Sequence, residues 1–109
     1  MAGFEDRQKT FEGKFVRDQE HHFKISVKQT RLLALWAAEA MALSSTETDL
    51  YVDAVIEYDL AHLGSDDVVG KVVADLTAKG IVVSDLDIRR RLAAYADEAR
   101  RVVEARAGA

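Results

Sequence analysis

The side chains best equipped for chemistry fall in three places along this chain, and their spacing decides what each can do. Glu20, His21 and His22 are consecutive, while His62 stands alone much further on. Neighbouring residues on a helix point about 100° apart, so His21 and His22 cannot easily share one metal ion. The His-Glu-x-x-His spacing that places two imidazoles on one helical face is absent. The stretch from Gly64 to Lys71 has the outline of a phosphate-binding loop, but it puts five residues between its glycines instead of four. Val72 stands where a magnesium-binding hydroxyl is needed, and Asp66 and Asp67 would repel a phosphate. With no Cys in the chain and no Ser flanked by glycines, disulfides, thiolate metal sites and covalent nucleophiles are not expected. Arg89, Arg90 and Arg91 form the third cluster. Two helices joined through Leu63-Gly64-Ser65 could imitate a helix-turn-helix, yet the second would open with Asp66 and Asp67, the wrong charge for a groove. These arginines are expected to pair with carboxylates of the same chain. A nucleic-acid-binding regulator acting through them is the alternative reading, and a metal- or nucleotide-sensing module built on His21, His22 or the acidic segment is a third.

The elements that must position these groups are helices. The chain has 109 residues, no Pro and 49% hydrophobic residues, which suits one domain with a modest core. Apolar residues recur at helical spacing in Tyr51, Ala54, Val55 and Tyr58, in Val68, Val69, Val72, Val73 and Leu76, and in Ile88, Leu92, Tyr95, Ala99, Val102 and Val103. Ile25, Leu32, Trp36 and Leu43 share a narrow sector of a helical wheel. Ser44 and Glu47 form a capping box. Gly64 suits a left-handed C-terminal position, and Ser65 caps a helix whose positive end carries Asp66 and Asp67. Gly80 closes that helix. Ser84 opens the next, with Asp87 as a short capping partner and Val83 and Ile88 as a hydrophobic staple. The β-branched runs Val68–Val73 and Ile81–Val83 would also suit strands, but the spacing and the caps favour helix. Helices are therefore expected near 4–43, 46–63, 66–79 and 85–107. The first would be about 60 Å long, more than the others can cover.

Charge is unevenly spread. From Ser44 to Val69 there are seven acidic residues and no Lys or Arg, whereas six arginines crowd the segment after Asp87; the net charge is −4. That balance argues against a global nucleic-acid binder. No apolar run approaches the ~18–20 residues of a membrane span, so no membrane insertion is expected. The opening residues lack a cationic and apolar leader, and a cytoplasmic location is the expectation. No motif predicts nucleotide binding, and nothing in the sequence forbids it.

The first forty-three residues carry the strongest signal. All four Phe residues and the single Trp lie there. Phe4, Phe11 and Phe15 fall within about 40° of each other on a helical wheel, and basic residues alternate with acidic ones around them. Rings spread along so polar a segment suit an amphipathic helix that docks in a partner's groove. The competing reading folds this arm back onto its own bundle. Leu32, Leu35 and Trp36 read as the core of the bundle, with Phe23 at the junction.

The series Phe4, Arg7, Phe11-Glu12, Lys14-Phe15, Asp18, Glu20, Phe23-Lys24, Arg31-Leu32-Leu33 and Leu35-Trp36-Ala37-Ala38-Glu39 resembles the zeta subunit of the alphaproteobacterial F1Fo ATP synthase. The likeness continues through Tyr51, the Asp59 region, Gly64-Ser65-Asp66-Asp67-Val68, Lys71 and Asp75-Leu76. The resemblance implies a small all-α four-helix bundle with a projecting, mobile N-terminal arm, and a non-enzymatic inhibitor of ATP hydrolysis that needs no cofactor. Its partners would be the α, β and γ subunits of F1, with the protein peripheral to the inner membrane when bound. The arm would insert at a catalytic α/β interface beside γ and act as a pawl, blocking hydrolytic rotation while allowing synthesis. Carried over by matching positions, Phe4, Arg7, Phe11, Glu12, Lys14 and Phe15 lie in the arm. Asp18, Glu20, Phe23 and Lys24 form its junction with the body. The division is then residues 1–18 for the arm and 19–109 for the body. Two departures stand out. Lys28-Gln29-Thr30-Arg31 replaces the family's Arg-Arg-Asn before Leu-Leu, and His62-Leu63-Gly64 replaces its acidic Pro-Gly turn.

Overall fold

A computed structural model describes the backbone of residues 2–62 and 65–107 and the side chains of residues 19–62 and 66–106. Four helices follow one another: α1 (Ala2–Ala40), α2 (Ser45–Ala61), α3 (Ser65–Ala78) and α4 (Asp85–Ala107). No strand occurs among the described residues, and the β-branched run in Val68–Val73 is helical throughout.

Capping chemistry sets the boundaries. Ser44 accepts a hydrogen bond from the Glu47 amide at 3.2 Å while Glu47 accepts one from the Ser44 amide at 3.0 Å. That backbone hydrogen bond holds the Glu47 carboxyl below its usual range. The same reciprocal pair recurs at α4, where Asp87 N–H donates to the Ser84 hydroxyl at 3.1 Å and Ser84 N–H to the Asp87 carboxylate at 3.4 Å. The helix ends are equally specific. Gly80 has φ +78°, its amide donates to Thr77 O, and the Ile81 amide donates to Leu76 O. These two bonds are the Schellman pattern. An identical pattern ends α1, with Leu43 N–H on Ala38 O and Ala42 N–H on Glu39 O. Here the left-handed residue is Ala42, at φ 55°. α3 begins at Ser65, and the capping role expected of the Ser65 side chain lies outside the described residues. The expected turn glycine, Gly64, lies outside the described residues.

The core is formed where all four helices meet. Leu33, Leu76 and Ile88 are the largest fully buried side chains, joined by Val55, Val68, Val69 and Val72. A buried Leu or Ile contributes about 2–5 kcal/mol relative to Ala. α3 and α4 present the faces expected from their periodicity. α2 does so in part: Tyr51, Val55 and Tyr58 pack in or against the core as expected, but Val52 is buried with them and Ala54 is exposed. α1 also differs from the expectation. Its buried positions are Thr30, Leu33, Ala34, Ala37 and Ala38, whereas Leu35 is 41% exposed and Leu32 and Trp36 are half-buried. α1 packs against all three other helices, so its contact face is broad. Small residues at its centre let the neighbouring backbones approach closely.

α1 runs antiparallel to α4. Trp36 meets Arg91, and His21, fifteen residues earlier, meets Glu104 near the other end of α4. With 39 residues against 23, α1 is about 58 Å long and α4 about 35 Å. The molecule measures 66 × 27 × 21 Å, so α1 sets its long dimension.

Candidate functional site

The residues singled out by the sequence lie along the first half of α1. Phe4, Arg7, Phe11, Glu12, Lys14, Phe15 and Asp18 fall within the α1 backbone, and their side chains lie outside the described residues. Glu20, Phe23 and Lys24 are described and solvent-exposed, Phe23 at 56%. All three border one open groove of about 700 Å³ between α1 and the last turns of α4. The structure thus brings together the three junction residues it describes and adds a wall the sequence reading assigned to the core. Val102 and Val103 are only half-buried because one side of each opens into the groove. Val27, Lys28, Arg31 and Arg106 complete it. The signal that could have found them is the spacing: Glu20, Lys24, Val27, Lys28 and Arg31 share one helical face.

Polar contacts tie α1, which forms one side of this groove, to its neighbouring helices. The Gln29 side-chain amide donates to the Leu92 carbonyl at 2.7 Å, linking α1 to α4. The buried Thr30 hydroxyl donates to Asp59 at 3.0 Å, linking α1 to α2. Arg91 lies 4.0 Å above the Trp36 ring, a cation–π contact that anchors the opposite end of the seam. His21 approaches Glu104 at 3.9 Å. His22 is exposed. Among the described residues no three His, Cys, Asp or Glu side chains converge as a metal site.

A second polar cluster joins α2 to α3. Tyr51 donates to Asp75 at 2.9 Å, and Asp75 pairs with Lys71 at 3.2 Å. Lys71 also sits 5.4 Å from the centre of the Tyr58 ring, which stacks on His62 at 3.9 Å. Burial, then the hydrogen bond to Asp75, pushes the Tyr51 hydroxyl well above its ordinary pKa, so it stays protonated and acts as a donor. His62 caps α2 and its Nδ1 lies 2.8 Å from the Tyr58 carbonyl. Arg89 pairs with Asp66 across α3 and α4. Two of the three consecutive arginines are therefore engaged by the bundle itself, Arg89 by a carboxylate and Arg91 by an indole.

Fold and surface together define a small all-α protein organised on one long helix, with its polar contacts spent on locking helices together. The description "ATPase inhibitor subunit zeta" matches residues 1–102, and the chain belongs to that family. The family is one of regulatory subunits, in keeping with a non-catalytic part in ATP synthase. None of the curated proteins matches the chain significantly. No helix among the described residues is long and apolar enough to cross a membrane.

Proposed function

We propose that this chain restrains ATP hydrolysis by F1-ATPase, with residues 1–18 as the inhibitory arm and residues 19–109 as the body that carries it. The arm inserts at a catalytic α/β interface beside γ on the cytoplasmic side, where Phe4, Phe11 and Phe15 supply buried apolar area. Arg7, Glu12 and Lys14 set the register, since charge pairs at an interface favour specificity over raw affinity. Asp18, Glu20, Phe23 and Lys24 join arm to body. The observation that carries this reading is the family match, which spans the arm and nearly the whole body in one stretch. The length of α1 relative to α4 supports the division: beyond His21, the last α1 residue with a described polar contact to α4, little of α4 remains to cover it.

In this reading the arm is mobile in the free protein. Ordering it on F1 costs free energy, which keeps inhibition reversible and adjustable. The test adds the purified protein to F1 from the same organism, beside a version lacking residues 1–15. The full-length protein is expected to suppress ATP hydrolysis and the truncated one to leave it nearly unchanged. Equal inhibition by both would remove the arm from the mechanism, and inhibition by neither would refute the function.

A further inference from the structure

We propose that the groove between α1 and the last turns of α4 docks an acidic amphipathic helix of a partner protein, forming a second contact beside the arm. This rests on the inhibitory reading only for which protein supplies that helix. Lys24, Lys28 and Arg31 line the groove from one face of α1, and Arg106 faces them from α4. Among the described residues none of these four cations has a carboxylate within ion-pair distance, although the chain carries a net charge of −4. Among the described residues Glu20 is the one carboxylate on the rim. The floor is apolar, made by Phe23, Val27, Val102 and Val103. Elsewhere in the bundle Arg89 pairs with Asp66, Lys71 with Asp75 and Arg100 with Asp97, whereas Lys79, Arg90 and Arg101 stand without an ion pair among the described residues but do not border this groove. What sets the groove apart is that four cations with no carboxylate partner among the described residues surround exposed hydrophobic surface, so both charge and apolar area face an outside group.

The shape selects the occupant. The α1 side of the groove runs from residue 20 to residue 31, about 17 Å or three helical turns. A helix with apolar anchors at i, i+3/i+4 and i+7 lays one stripe on such a floor, and flanking Asp or Glu then meet the four cations. A phosphodiester backbone would leave the apolar floor unused, and a bilayer surface cannot enter a trough between two helices. The pairing of opposite charges would speed association and weaken it in salt.

The test is an NMR titration of the full-length protein with a synthetic helical peptide carrying Leu at those anchor positions and Glu on the flanks. Shifts centred on Phe23, Val27, Val102 and Val103 are expected. Affinity should fall about tenfold when the peptide's Glu residues are replaced by Gln, and again in the Lys28→Glu/Arg31→Glu/Arg106→Glu variant, as for loss of several close charge pairs. A thermal melt establishes that the variant is folded; if it is not, Arg31→Gln alone serves, with about a threefold loss expected. No shifts in the groove, or equal binding of the Gln peptide, would overturn the proposal. So would anionic vesicles or an oligonucleotide shifting the same residues where the peptide does not. Because the peptide assay contains no F1, failure of the protein to inhibit ATP hydrolysis would sink the proposed function and leave this result to stand or fall by itself.

Discussion

Ala42 occupies a position whose backbone favours glycine. Its φ of 55° is left-handed, and its amide and that of Leu43 complete the closing turn of α1. A Cβ in this conformation costs roughly 1–2 kcal/mol, partly offset by the smaller entropy that Ala loses on folding. Ala42→Gly is therefore expected to stabilise the protein by about 0.5–1 kcal/mol, read as a raised midpoint in urea unfolding with an unchanged slope. A lower midpoint would show that the Cβ makes a contact worth more than the strain. The residue scale also explains why aromatic content alone misleads in α1. Trp36 is half-buried beneath Arg91, and Phe23 lies largely in solvent, whereas Ala34, Ala37 and Ala38 are sealed.

At the scale of elements, α3 shows the opposite mismatch. Gly70 sits inside a 14-residue helix, and a Cβ added there would meet nothing within 4 Å. Glycine in a helix interior is less favourable than Ala by ~1 kcal/mol. Gly70→Ala is expected to raise stability by about that amount, with greater protection of α3 amides in hydrogen exchange. An unchanged midpoint would mean that α3 is already fixed by its buried valines before its own propensity matters. Ends are specified more strongly than interiors in this chain. α2 and α4 begin with reciprocal Ser–carboxylate boxes, and α1 and α3 finish with Schellman bonds, so each helix has an internal reason to start or stop where it does.

Across the whole molecule, the described contacts that hold α1 in place begin at His21 and continue through Gln29, Thr30 and Trp36. Removal of residues 1–18 is accordingly expected to shift the thermal midpoint by no more than about 3 °C, the effect of well under 1 kcal/mol in a domain of this size. A fall of about 10 °C or more would place the arm in the stability of the body and contradict the proposed division at residue 18. The distribution of charge makes sense at the same scale. In the acidic segment of α2 and early α3, Asp66 is paired with Arg89 across the bundle, while the cations of the α1/α4 groove have no carboxylate partner among the described residues.

Helix number, type and boundaries were determined by sequence because capping is local: Ser44 with Glu47, Ser84 with Asp87, and Gly80 each act within a turn of their own position. The family was legible for a related reason, since the irregular series from Phe4 to Trp36 lies within one continuous helix and its order survives without a third dimension. What tertiary structure decided were the faces. Sequence hydrophobicity favoured Leu35 and Ala54, yet packing against three neighbours turned Leu35 outward and buried Ala34, Ala37 and Ala38, and α2 turned Val52 inward. Periodicity ranks residues by affinity for an apolar environment, but closeness of approach between helices decides which face is used, and it rewards small side chains that no hydropathy pattern singles out. The groove belongs to that second kind of information. Lys28 and Arg31 are ordinary surface cations in the sequence, and they become one wall of a site only because the chain returns, some seventy residues later, with Val102, Val103 and Arg106 beside them.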